Sequence, residues 1–254
     1  MSLSDSMTIY GVAACPYAQR TQILLHFKQL DFEAIELDLT KPRDPEFLKL
    51  NPAGKVPVLI HRGRALNESS VVNEYLDEVF PEQPAFPADP YLKAQARILV
   101  DYCNSRFTTN HYRVLMEQDA VRRTKSEATF TKDWEWLDDF LQRMGSKEGF
   151  AFGEFGMADL TYAPFFERAV LNEYFWDVNM PTHLKRVASW REAVASHPSV
   201  RATSLSAEHY IKLYEDYSLG YSNGAIPADR ERSSFDFSVP LDQRPMPVRR
   251  TLVQ

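Results

Sequence analysis

The chain has 254 residues, 44% of them hydrophobic and 25% charged, with a formal net charge of −6 at pH 7. That size suits one large domain or two modest ones, and the negative balance speaks against non-specific nucleic-acid binding; the Arg249-Arg250 pair is too small to reverse it. No apolar run approaches a membrane span, the first nine residues lack the apolar core of a secretion signal, and the two cysteines, Cys15 and Cys103, make no disulfide framework or zinc-type cluster, so the expectation is a cytoplasmic protein with no bound metal.

The first third reads as alternating strands and helices. Met7–Tyr10 is a short apolar strand, and Ile23, Leu24, Phe27 and Leu30 mark the buried face of a helix over Pro16–Leu30. Pro16 suits the first helical position, which puts Cys15 at the amino end of that helix, where unpaired N–H groups and the helix dipole favour a thiolate. Ala34–Leu39 alternates like a half-buried strand, Lys41–Pro45 must be a loop, and Glu46–Leu50 is a helical turn. Pro57 opens the apolar run Val58–Ile60, which predicts an edge strand or a cis bond that leaves the preceding backbone exposed. His61–Arg64 is a hairpin turn, Ala65-Leu66 starts the last strand, and Glu68-Ser69-Ser70 precedes a helix from Val71 to Phe80. The order β-α-β-α-β-β-α predicts a mixed sheet with helices on both faces.

Pro81, Pro84, Pro87 and Pro90 then break the pattern, which places a linker at 85–92 between a first domain, 1–84, and a second, 93–219. The second domain reads as all-α: a long helix from Tyr91 to about Met116, then Ala120–Met144 with Trp134, Leu137 and Leu141 on one side, Asp159–Tyr174, Leu184–His197 and Ser206–Tyr217. Residues 220–254 form an extension with little periodicity, and Phe235, Phe237 and Met246 are its expected apolar anchors on the body.

Three motifs, Cys15-Pro16-Tyr17-Ala18-Gln19-Arg20, Asn51-Pro52-Ala53-Gly54-Lys55-Val56-Pro57-Val58-Leu59 and Asn67-Glu68-Ser69-Ser70-Val71-Val72-Asn73-Glu74-Tyr75-Leu76, stand in the order and spacing of a glutathione transferase. The cysteine in the first makes the chain similar to the omega class, since most other classes carry serine or tyrosine there. In that family a Ser or Thr usually caps the helix holding Asp159; Gly156 stands in its place here. The segments Lys212-Leu213-Tyr214-x-Asp216-Tyr217, Asn223-Gly224-x-Ile226-Pro227 and Arg244-Pro245-Met246-Pro247 resemble the glutathione lyases of bacterial lignin β-aryl-ether breakdown.

The resemblance implies an α+β fold, a thioredoxin-like domain followed by a helical bundle, in a homodimer that takes glutathione as co-substrate. It implies that Cys15 forms a mixed disulfide with glutathione, that Val56 before a cis-Pro57 pairs with its cysteinyl part, and that Glu68 and Ser69 hold its γ-glutamyl end. Tyr17 would lie beside it, and Lys41 or Arg43 would reach its glycine carboxylate. Tyr214 and Tyr217 are the candidate proton donors to a leaving enolate, with Tyr112 and Phe107 against an aromatic thioether substrate. Read alone, Ser69 could merely cap its helix and Lys41 merely face solvent. Three activities stay open: a reductive glutathione lyase, a general thioltransferase or dehydroascorbate reductase, and a non-catalytic glutathione-fold binding protein.

Overall fold

Met7–Gly11 (β1) alternates buried Met7, Ile9 and Gly11 with half-buried Thr8 and Tyr10, so its two faces meet different layers. In the computed structural model, which describes residues 6–12, 14–144 and 149–250, the inner face packs against Pro16–Phe27 (α1) and Ser69–Val79 (α3), through Ile23, Leu24, Val72 and Leu76. Across the sheet, Pro45–Leu50 (α2) buries Phe47, whose ring lies 5.5 Å from that of Tyr10. Glu33–Glu36 (β2) pairs parallel to β1; Val58–His61 (β3) and Arg64–Asn67 (β4) complete an antiparallel edge in the order β2-β1-β3-β4. Arg62 and Gly63 both take left-handed backbone, which gives the two-residue turn a tight hairpin needs. This is the thioredoxin-like arrangement, and an all-α domain follows it. β3 lies inside the sheet, so of the two readings of Pro57 the cis bond is the one found.

The helical domain comprises Pro90–Tyr102 (α4), Thr108–Met116 (α5), Ala120–Arg143 (α6), Met157–Trp176 (α7), Lys185–Ser196 (α8), Pro198–Arg201 (α9) and Ala207–Leu213 (α10). Asp89, Asp119 and Ser206 cap α4, α6 and α10 by accepting from Leu92 N, Arg122 N and His209 N, each worth about 1 kcal/mol. α7 is buried on almost every side and forms the axis of the domain; α1 packs on it, which joins the two domains. Its cap explains Gly156. Met157 N donates to Ala85 O at 2.7 Å, and a Cβ on Gly156 would stand 2.3 Å from that oxygen, so no Ser or Thr fits. Asp159 supplies the cap instead, accepting from Gly156 N at 2.8 Å, Ala151 N at 3.0 Å and Trp190 Nε1 at 2.6 Å.

Several expected elements are shorter. α1 ends at Phe27 because Lys28 turns its ammonium inward, onto Phe80 O, Gln83 O and Asp77, and Gln29 takes left-handed backbone. β2 stops at Glu36, and Asp38 then closes a turn on Thr40. The expected continuous helix from Tyr91 to Met116 contains a π-helical turn over Cys103–Phe107. The helix expected to reach His197 ends at Ser196, and α9 restarts at Pro198. The helix expected over Ser206–Tyr217 stops at Leu213, because Asp216 turns inward to accept from Ser233 Oγ and Ser234 N. Of the three expected anchors of the extension, Phe235 alone is buried; Phe237 and Met246 are 46% and 42% exposed, and Arg244 gathers the carbonyls of Ser234 and Val239 on either side of Phe237 into a surface loop. Among the described residues no helix is long and apolar enough to cross a membrane.

Candidate active site

A cleft of about 980 Å³ runs between the two domains, with Cys15 in its wall. Cys15 is the N-cap of α1; its N–H donates to Val12 O at 2.7 Å, and its sulfur lies 3.9 Å from Val56 O. The expected thiolate activation is opposed. Burial pushes the Cys15 thiol up, while the backbone N–H groups of Ala18 and Tyr17 and the charges of Arg168 and Arg20 pull it down. Burial is the larger effect, so the thiol is raised on balance where the helix terminus was expected to favour a thiolate.

One end of the cleft is polar. Val56 and cis-Pro57, the Glu68–Ser70 turn, Arg43 and Lys55 line it. Glu68 has φ 66 and directs the chain into α3, whose first residue, Ser69, is buried at the helix amino end. Arg43 is fixed by Nε donating to Gly54 O at 3.0 Å and Nη1 to Asp38 O at 3.1 Å. Lys41 does not reach the cleft: it pairs with Asp38 at 3.0 Å and is 75% exposed, since the Pro42 turn points it outward. Of the two candidate cations, Arg43 is the one on the wall.

The other end is aromatic. Tyr112, Tyr214, Tyr217 and Phe235 line it, with Tyr17 near Cys15. The Tyr112 ring centroid lies 6.3 Å from that of Tyr214 and 5.6 Å from that of Tyr217. Tyr214 is a poor fit to the expected donor role. Its hydroxyl donates to Ala14 O at 2.5 Å and accepts from Arg168 Nε at 3.0 Å, so its proton is committed to the backbone beside Cys15. The Tyr217 hydroxyl meets Asn223 at 3.4 Å, and burial pushes its phenol up, which keeps it protonated. Phe107 is not in the cleft. It is fully buried between Phe130, Trp134 and Tyr162, because the π turn rotates it into the helical core and brings Asn104 to the cleft instead.

Two buried cations stand beside Cys15, Arg168, which lies in no motif, and Arg20, which closes the first one. Arg168, in the middle of the apolar α7, is fully buried and forms no ion pair among the described residues. It donates to Tyr214 Oη, to Gln19 Oε1 at 2.7 Å, to Pro164 O at 2.8 Å and to Ala14 O at 2.8 Å. Arg20, also fully buried, donates to Asn104 Oδ1 at 2.8 Å and Ser70 Oγ at 3.4 Å and lies over the Tyr17 ring. Two buried cations thus flank the cysteine, where an anion would offset their desolvation.

Residues 14–79 match the family model for the N-terminal domain of glutathione S-transferase. Over 186 residues the chain is 31% identical to glutathione S-transferase U19 of Arabidopsis thaliana, covering 72% of this chain and 83% of that one. It is 29% identical to glutathione S-transferase omega-1 of Mus musculus over 213 residues, covering 81% and 85%. The crystal structure of glutathione transferase Omega 3C from Trametes versicolor superposes with a TM-score of 0.68 at 26% identity, covering 82% of this chain and 92% of that one. A Tau class glutathione S-transferase from mango, at 23% identity, shares the fold with a TM-score of 0.76, covering 83% and 98%.

Proposed function

The chain belongs to the glutathione S-transferase family, with omega-class neighbours, and we propose that within it the protein is a glutathione lyase of the lignin β-aryl-ether type, which removes glutathione from α-glutathionyl aryl ketones. The observation that carries this reading is one cleft with Cys15 between a polar end suited to a charged peptide and an end walled by four aromatic rings. Glutathione lies along the polar end, with Glu68 on its ammonium, Ser69 and the α3 amino end on its γ-glutamyl carboxylate, Val56 and Pro57 along its cysteinyl part, Tyr17 beside it, and Arg43 on its glycine carboxylate.

The Cys15 thiolate attacks the glutathionyl sulfur. An S–S bond forms, the C–S bond to the ketone breaks, and its electron pair leaves as an enolate, which takes a proton from Tyr217. Tyr112 packs on the aryl group. With no second cysteine in a Cys-x-x-Cys pair, a second glutathione, its thiol proton replacing the one Tyr217 gave up, attacks the mixed disulfide as a thiolate, restores the Cys15 thiolate and departs as oxidised glutathione. In this reading the chain divides into a glutathione-binding domain, 1–84, a linker, 85–92, a substrate-binding domain, 93–219, and the extension 220–254; residues 1–5, 13, 145–148 and 251–254 of these stretches lie outside the described ones. The protein works as a cytoplasmic homodimer.

The test mixes reduced protein, free of glutathione, with an α-glutathionyl aryl ketone. One glutathionyl adduct on Cys15, with equimolar ketone, is expected, and Cys15→Ser abolishes both. Adduct formation with a glutathione mixed disulfide but not with the ketone would replace the lyase by a general thioltransferase. A Cys15→Ser variant that still released ketone would refute the nucleophile.

A further inference from the structure

Three tail segments still lack a chemical role: Asn223-Gly224-x-Ile226-Pro227, Ser233-Ser234-Phe235 and Arg244-Pro245-Met246-Pro247. In the fold they form one clasp. Asn223 and Gly224, with φ 55 and 78, make a tight turn closed by Ala225 N donating to Ser222 O at 3.1 Å. The turn rests on the backbone of Leu39 in the first domain, so closely that a Cβ on Gly224 would stand 2.7 Å from Leu39 O. Further on, buried Asp216 accepts from Ser233 Oγ at 2.8 Å and Ser234 N at 2.6 Å. Arg244 donates to Ser234 O at 2.6 Å and Val239 O at 2.9 Å, and Tyr174 Oη donates to Pro247 O at 2.6 Å.

These bonds fix Phe235. Its ring is buried, with its centroid 5.8 Å from those of both Tyr214 and Tyr217, and it forms part of the cleft wall. Ser222 and Asn223 line the same cleft, and Asn223 holds the Tyr217 hydroxyl from both its N–H and its side-chain oxygen. The tail therefore supplies one wall of the aromatic end and ties it to the first domain.

We propose that Phe235, set by the Asn223-Gly224 turn, is a specificity-determining residue that selects glutathione thioethers bearing a flat aryl group. An aryl ring meets edge and face partners among Phe235, Tyr112 and Tyr217; a small alkyl group reaches none of them and leaves that wall wet. The proposal rests on glutathione occupying the polar end of the cleft, and it is independent of the lyase step.

The experiment is calorimetric titration of the full-length protein with S-benzylglutathione and S-methylglutathione, neither of which is an α-glutathionyl ketone. Aromatic pairing of this kind predicts about a tenfold preference for the benzyl compound in the wild type. Phe235→Leu, which keeps an apolar side chain against Tyr214 but removes the flat ring, should cut that ratio to about a third or less. Gly224→Ala, which displaces the turn without itself lining the cleft, should cut it as well. A ratio unchanged in both variants, or a wild type that does not discriminate, overturns the proposal alone. Failure of both thioethers to bind overturns the glutathione reading and this proposal with it.

Discussion

Arg168→Met tests how the cysteine is held. The substitution keeps an unbranched apolar stem in α7 and removes a buried guanidinium that donates four hydrogen bonds at 2.7–3.0 Å. Ala14 O keeps its bond from Tyr214, and Pro164 O keeps its helical setting, so Gln19 Oε1 and Tyr214 Oη lose most. Stranding buried polar groups costs about 1–3 kcal/mol each, less what is regained by no longer desolvating a cation, for a net loss of about 3 kcal/mol. The chemical consequence is separate. Arg168 is one of the two positive charges drawing the Cys15 thiol down. Its guanidinium donates to Ala14 O, one residue before the cysteine, so its loss should move the thiol further up. The assay is the rate of Cys15 alkylation by iodoacetamide between pH 5 and pH 10, read by intact mass beside a thermal melt. The profile should move to higher pH, so that alkylation slows on its acid side. A melt that falls while the pH profile stays put would refute the electrostatic part and leave Arg168 as packing alone.

Two further predictions follow from the same structure. Phe107→Ala should cost about 3–5 kcal/mol in urea unfolding, since the ring is fully buried among Phe130, Trp134 and Tyr162; loss of aryl binding without loss of stability would return Phe107 to the substrate site. Burial pushes the His111 imidazole down to about 3 from 6.5, so the unfolded chain binds a proton that the folded one refuses. Stability then falls as the pH drops below about 6.5, by about 2 kcal/mol at pH 5. His111→Gln should remove that part of the acid sensitivity, and an equal difference between pH 7 and pH 5 in both proteins would sink the idea.

Local rules made much of this protein legible. Pro16 after Cys15 and the glycine and proline of Gly54-Lys55-Val56-Pro57 are features of a few neighbouring residues each, and backbone geometry decides them locally; so the strand and helix order could be read in the amino-acid string, with the start of α3 misplaced by two residues, at Val71 instead of Ser69. Tertiary packing decided the rest. Helical periodicity cannot register the π turn that carries Phe107 into the core and Asn104 to the cleft. An apolar stretch such as Met157–Trp176 gives no sign that Arg168 turns onto Ala14, 154 positions away. Tyr214 and Tyr217 are indistinguishable as letters; both line the cleft, but the hydroxyl of one is bound to the backbone beside Cys15 and that of the other to Asn223, which only the folded chain decides. Gly156 is a weak cap by composition and a necessity in space, since the carbonyl of Ala85 occupies the volume a Cβ would need. Chemical identity at Cys15 was set by sequence; the charges, rings and tail that give it an environment come from residues far apart in the chain, and burial alone decides which of them meet.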